Sequence, residues 1–574
     1  MKYISKLWVL LLFVGLTACD NTEFDLLDNP NAPTPETASF DALYNNIQLT
    51  FENIYSTSQG SPGAQARMYH MGSFTYLANV TPNTFNFLWN VAYAGLFPDI
   101  DALVTIANER GLAIHSGTSK IMKAYTLMAL VDLMGNVPNS QAMQGLDLIS
   151  PPADDGSTIY ANAVALLDEA IAELTGTTAN SPAIEQFYGG DAAKWITFAK
   201  TLKLRAAVTT RLVDPAGSAA TINALVSEGD IIDDASEDFQ YQFGNQRTNP
   251  NSRHPFYNSH YEVGDGPYLS NYYMWLLRAD KEDENENAVI DPRIRFYFYR
   301  KISDAAAQDP TTYSCHFSLL PDQAAQPDHW AAVDPRLPYC IVLPGDGYSG
   351  RDHGNGEGIP PDGPTRTSYG LYPGGGMLDI DEFEDTRNEG TTGGLGEGIW
   401  PIMLSSFVDF MRAEAALTIN TNDDPRSLLA TGIRKSMDKV ISFKNLVPLT
   451  LAKTLIVRGD TINVEDNFVP SDADVSDYIN FVLSQYDAAT SDDERLDIVM
   501  KEYFIALWGN GLEAYNMYRR TGKPGNMQPA LETFVGDFPR SFLLPNDHVT
   551  RNSAASQRTL SDLVFWDNGT SSVQ

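Results

Sequence analysis

KIMKAYTLMALVDLMGNVPNSQAM, residues 120–143, is the stretch that decides the fold. Between 121 and 134 nearly every side chain is apolar, and Lys123 and Asp132 carry the only charges. Gly135, Asn136 and Pro138 end the run. Glycine readily takes the left-handed turn that closes a helix, and proline cannot continue one. At about 1.5 Å per residue the helix spans about 20 Å, too short for a bilayer. A helix this apolar on all sides must be covered by protein.

The covering is supplied by further helices on either side. Upstream, helical patterns occupy residues 40–55 and 85–109, the second broken around 95–98 by glycine and proline. Downstream they occupy 159–174, 192–213 and 219–228, with Trp195, Phe198, Leu202 and Ala206 on one face. The helical pattern returns at 399–417, 424–442 and 474–486 and closes with one long helix over 492–520. There Ile498, Ile505, Trp508, Leu512 and Tyr515 form the buried stripe, and Gly522 and Pro524 end it. Sequential helix pairs predict a mostly α fold, a helical-repeat solenoid interrupted by one large insertion.

That insertion, residues 231–398, is rich in Gly, Pro, Asp, Asn and aromatic residues and weakly periodic. So long an irregular region in a helical protein is expected to carry function. The helices before 230 and after 398 are expected to pack as one unit, because their apolar faces cannot be covered separately. Proteases are expected to enter first between 340 and 400, where glycine favours local opening.

Composition narrows the function. The chain has 574 residues, 43% of them hydrophobic, enough for a large core. Its net charge of −34 repels phosphate backbones and makes nucleic acid a poor partner. No HExxH, and no glycine-rich loop ending in Lys-Ser/Thr, is present. Asp346, Ser349 and His353 lie close together, but GYSG is not a nucleophile elbow. The acidic run 379–385 misses EF-hand spacing and reads as an exposed loop. The sequence therefore points to binding without catalysis, metal or other cofactor. A glycan hydrolase is the rival reading.

At the amino terminus, Lys2 and Lys6 precede an apolar core over 7–16, the form of a signal peptide over 1–18. Leu16-Thr17-Ala18-Cys19 resembles a bacterial lipobox. The resemblance implies cleavage before Cys19 and acylation of that cysteine, and Asp20, Glu23 and Asp25 after it resemble a surface-export signal, which implies a protein anchored in the outer membrane and facing outward. Residues 19–38 are polar and proline-rich, a tether to a single domain over 39–574. Cys315 and Cys340 remain, as a disulfide or as two buried thiols.

Several motifs in order carry a family resemblance. They are GNVPNSQA at 135–142, WITFAKTLKLR at 195–205, Asp291-Pro292-Arg293, Arg412-Ala413-Glu414-Ala415 and YRRTGKP at 518–524. Together they resemble the SusD/RagB family of outer-membrane nutrient-binding lipoproteins. The late tyrosine-proline and glutamate of that family are here Leu544-Pro545 and Asp547. The resemblance implies tetratricopeptide-like helix pairs packed on a loop-rich ligand lobe. It also implies a partner, a TonB-dependent SusC-like transporter over which the protein sits as a hinged lid, and as ligand a polysaccharide or oligosaccharide, with a peptide as the variant of the same scheme.

A glycan needs aromatic rings for its C–H faces and fixed polar groups for its hydroxyls. Two stretches offer both. One is Phe87, Trp89 and Asn90, with Asn79, Asn83 and Tyr93 near; the resemblance points to Trp89 and Asn90. The other is the insertion: Trp330, Tyr348, Arg351, His353, Tyr369 and Tyr372 among glycines. These residues are expected to share one binding face, against the plainer reading of helix packing and a self-braced surface loop. Tyr272, Tyr273 and Trp275 sit in an apolar run and are expected in the core.

Overall fold

The computed structural model describes residues 40–178, 180–262, 264, 266–309, 315, 325–357, 363–387, 389–457 and 459–573. Cys19, the signal peptide and the tether lie outside the described residues.

The first half is a stack of helices: α1 Phe40–Gln65, α2 Asn86–Val91, α3 Phe97–Arg110, α4 Ala113–Met134, α5 Gly156–Leu174, α6 Ala192–Thr210 and α7 Pro215–Glu228. The decisive stretch lies in α4, whose last turns are buried on every side. It packs on α1, α3, α5 and α6. The expected break near 95–98 is instead a π-helical turn, Ala92–Leu96, that feeds directly into α3. Pro98 sits in the first turn of α3, immediately after the π turn.

The second half repeats the pattern with α9 Ser405–Ile419, α10 Pro425–Ser442, α11 Asp472–Ala488, α12 Asp492–Ala506 and α13 Gly511–Thr521, after the short α8 Asn271–Arg278 in the insertion. Two expectations are corrected here. Residues 399–403 form strand β4, paired antiparallel with β1 Phe239–Gln242, and the helix starts only at Ser405. The single helix over 492–520 is two, because Gly509 takes φ +98° and Asn510 caps the Glu513 N–H. The two halves form one unit: α9 packs on α6 and α7, and α1 crosses α13. At that crossing a Cβ on Gly511 would lie 2.3 Å from the Gln59 carbonyl oxygen, so only glycine allows the approach.

A buried ionic chain runs through this unit. Asp132 accepts from Arg205 at 2.9 Å, Arg205 also donates to Glu513 at 2.9 Å, and Arg520 donates to Glu513 at 3.2 Å and Glu414 at 2.9 Å. Arg211 closes the chain on Glu414 at 2.9 Å. In a second group Arg293 pairs with Asp291 at 2.6 Å and Glu502 at 2.9 Å. Burial raises the Glu414 pKa, but Arg520 and Arg211 outweigh it and hold the carboxyl below its ordinary value.

The insertion is not a loose lobe. Tyr272, Tyr273 and Trp275 are buried, and Trp508 of the second half is ringed by Tyr273, Tyr297, Phe298 and Tyr369. Strands β2 Phe298–Tyr299 and β3 Ser368–Tyr369 pair antiparallel inside it. Its glycines serve close packing: a Cβ on Gly347 would lie 1.8 Å from the Ile302 carbonyl oxygen, and one on Gly370 2.4 Å from that of Phe296. Most of residues 363–380 is buried, while most of the described residues between 381 and 397 are exposed or half-buried, so the expected opening between 340 and 400 narrows to that second stretch. Cys315 and Cys340 are joined as a disulfide, Cα to Cα 5.3 Å. Strands β5 Thr454–Val457 and β6 Asp460–Asn463 form an exposed hairpin.

Candidate functional site

A cleft of about 410 Å³ opens where α2 and its π turn meet residues 138–151 and the late helix α14 Asn546–Arg551. Helical spacing sends Trp89 and Tyr93 to the same side. Trp89 packs against Tyr93 and against His548, each ring centroid 4.4 Å away. Only 7% of Trp89 is exposed, while Phe87, two residues earlier, is 59% exposed. Asn90 donates to Asp547 at 3.5 Å, and Arg551 lies 3.7 Å from the same carboxylate.

The three walls are tied together. The Tyr93 hydroxyl donates to the Pro138 carbonyl at 2.6 Å. Asn546 N–H donates to the Pro82 carbonyl at 2.8 Å, and Asp547 N–H to Asn86 Oδ1 at 3.2 Å. Asn552 reaches the Pro151 carbonyl at 2.8 Å. Burial lowers the His548 pKa, so at neutral pH the ring facing Trp89 is an uncharged imidazole. Burial and the nearby Asp154 push the Tyr93 hydroxyl far above its ordinary range, which keeps it a donor. The cleft thus offers aromatic surface, neutral donors and one carboxylate side by side.

The insertion residues are a correction. Trp330, Tyr348, Arg351, His353, Tyr369 and Tyr372 are all buried and none lines this cleft. Trp330 donates its indole N–H to the Ala530 carbonyl at 3.1 Å. Tyr369 stacks on Phe256 at 4.0 Å, and Tyr372 on Tyr297 at 5.6 Å. Tyr348 lies under the Arg300 guanidinium, Arg351 donates to the Tyr268 hydroxyl at 3.1 Å, and His353 Nε2 is 3.3 Å from the Tyr76 hydroxyl. The reason is the glycines, which let the backbone close tightly enough to turn these rings inward. Conversely, His548, Asp547, Arg551 and Tyr93 belong to the cleft. Tyr93 was named from sequence only as a neighbour of Trp89, and the one sequence signal for the other three was the departure at Leu544-Pro545 and Asp547.

Two other cavities are chemically different. One, of about 390 Å³, is lined by charges that already pair, Lys501 with Asp280 at 3.0 Å and Lys281 with Glu502 at 3.0 Å. The other, of about 470 Å³, has the apolar rim Leu395, Leu446 and Leu449 beside Glu382 and Glu384. Among the described residues no group of three or more His, Cys, Asp and Glu could hold a metal ion. The acidic run 379–385 is committed instead: Asp379 and Asp381 bind Arg300, and Arg295 donates to Asp381 at 2.9 Å.

Stacked helix pairs bearing an open aromatic cleft define a helical-repeat binding protein. Residues 30–320 match a family model described as SusD-like, starch-binding and associating with the outer membrane. Residues 397–573 match that of the SusD and RagB outer-membrane lipoproteins. The chain belongs to the SusD/RagB family of outer-membrane lipoproteins, non-catalytic proteins that bind glycans. No curated protein matches the chain. Among solved structures, a SusD/RagB family protein from Bacteroides thetaiotaomicron is 18% identical, with TM-score 0.64, over 92% of this chain and 99% of that one. A chitin-binding SusD homolog from Flavobacterium johnsoniae is 17% identical, with TM-score 0.57, over 92% and 99%. A SusD homolog from Bacteroides fragilis is 14% identical, with TM-score 0.61, over 92% and 99%.

Proposed function

We propose that this protein captures an oligosaccharide or polysaccharide at the Trp89 cleft and delivers it to a TonB-dependent SusC-like transporter. The observation that carries the reading is the cleft itself, where Trp89, Tyr93 and His548 stand beside Asn90, Asp547 and Arg551. Rings cover the C–H faces of a sugar, and the amide, carboxylate and guanidinium meet its hydroxyls. Acylated Cys19 holds the protein at the membrane, and the tether gives it reach. The starch-binding description of the family model and the chitin-binding homolog name the first glycans to try.

The test is calorimetric titration of wild type, Trp89→Ala and His548→Ala with starch and chitin oligosaccharides, melting curves alongside. Losing either ring should weaken binding by about 1–3 kcal/mol. Unchanged affinity in both variants removes the site. Cys19→Ala should abolish fatty-acid labelling and release the protein from the outer membrane.

A further inference from the structure

The two sides of the cleft differ in chemistry. The α2 and α14 side carries rings and polar groups. The facing loop presents Met143, Leu148, Ile149 and Pro151 to the same space. Met143 is 42% exposed, Ile149 76%, and Leu146 between them 95%. Large apolar side chains this exposed in one short loop, bordering a ligand cleft, mark a surface that something covers.

The loop holds them outward. Asp154 accepts from the Asn139 and Ser140 N–H groups, both at 2.8 Å, and its own N–H donates to the Val137 carbonyl at 3.0 Å. Beyond the apolar residues, Pro151 is tied to Asn552 and Ser150 to Ser553. Met143 itself has φ +63°, a conformation its side chain disfavours and the surrounding fold imposes. The apolar lip is therefore fixed beside the rings rather than folded against its own loop.

Whatever fills the cleft touches both sides. A sugar hydroxyl pressed on Met143, Leu148 or Ile149 gives up water and finds no partner there. A methyl or acyl group in that place removes apolar surface from water on both partners. We infer that the ligand is a glycan carrying N- or O-acyl substituents, the sugar ring lying toward Trp89 and His548 and the acyl group on the Met143–Ile149 lip. This rests on the reading of the cleft as a glycan site.

The experiment uses probes matched in backbone. Chitohexaose and cellohexaose share a linkage and differ by the acetamido group, and acetylated xylo-oligosaccharides are compared with the same material after mild alkaline deacetylation. The full-length wild type is expected to bind the acylated member of each pair at least about tenfold more tightly. In Met143→Asn/Ile149→Ser that ratio should shrink by about fivefold or more, the apolar area lost to the acyl group. The melting temperature should hold, since both side chains are exposed. Equal affinities within each pair, a ratio untouched by the double variant, or no binding of any probe overturns the inference. Failure of the cleft reading looks different: Trp89→Ala then leaves both members of each pair bound as tightly as by wild type.

Discussion

The indole N–H of Trp566 donates to the Asp132 carboxylate at 2.9 Å, across 434 positions of sequence. Asp132 is the lone acid of the apolar run that organises the fold, and it is fully buried. Tyr160 and Arg205 from neighbouring helices, and Asn516 from α13, donate to the same carboxylate. One side chain thus gathers α4, α5, α6, α13 and the last stretch of the chain.

Asp132→Ala should be among the most damaging substitutions in the protein. It leaves Arg205 short of a partner and Tyr160, Asn516 and Trp566 with buried donors unmet. The expected loss is about 3–5 kcal/mol, read as a lowered midpoint in urea unfolding. A loss below about 1 kcal/mol, the worth of an exposed pair, would show that the ionic chain does not hold the two halves together.

Trp330→Ala should lower stability by about 3–5 kcal/mol, the usual range for emptying a buried aromatic site. The milder Trp330→Phe should fold and bind glycan as wild type does, because the ring is core and lies outside the cleft. Weakened binding with an unchanged melting temperature would return Trp330 to the ligand site.

Acid should destabilise the protein well before its carboxylates are titrated. Burial pushes His70, His254 and His260 each down to about 3. In the unfolded chain each takes a proton near about 6.5. Between those values the unfolded state binds more protons, so stability present above about 6.5 is lost as pH falls toward 3. Melting temperature should therefore decline steadily from pH 7 to pH 4. A flat profile would contradict the burial of these rings.

Cys315→Ser/Cys340→Ser should destabilise by about 3 kcal/mol, since the bridge closes a loop of sequence separation 25. Reducing the wild type should give the same shift in melting temperature. An equal midpoint for bridged and unbridged protein would make the disulfide energetically silent.

The motifs that revealed the family turn out to be structural. Asp132 just before GNVP, Arg205 of the WITFAKTLKLR helix, Glu414 of the RAEA helix and Arg520 all belong to the ionic chain, Glu513 linking Arg205 to Arg520. Arg293 of Asp291-Pro292-Arg293 anchors the second group. Removing one partner of a buried charge pair is costly, so these segments are bound to the fold. They say little of the ligand. Trp89 and Asn90 were legible because they lie in one helix. Asp547 and His548 were not, since Asn90 and Asp547 stand 457 positions apart. The insertion's rings were misjudged for a local reason. Glycines such as Gly347 and Gly370 suggest an open loop, whereas here the absent Cβ lets backbones touch.

The pairing of Trp89 with His548 has a consequence for biosynthesis. A ribosome that has made α1 to α13 has made neither the third wall of the cleft nor Trp566, the partner of Asp132. The nascent chain can thus neither complete this cleft nor close its ionic core until translation has nearly ended.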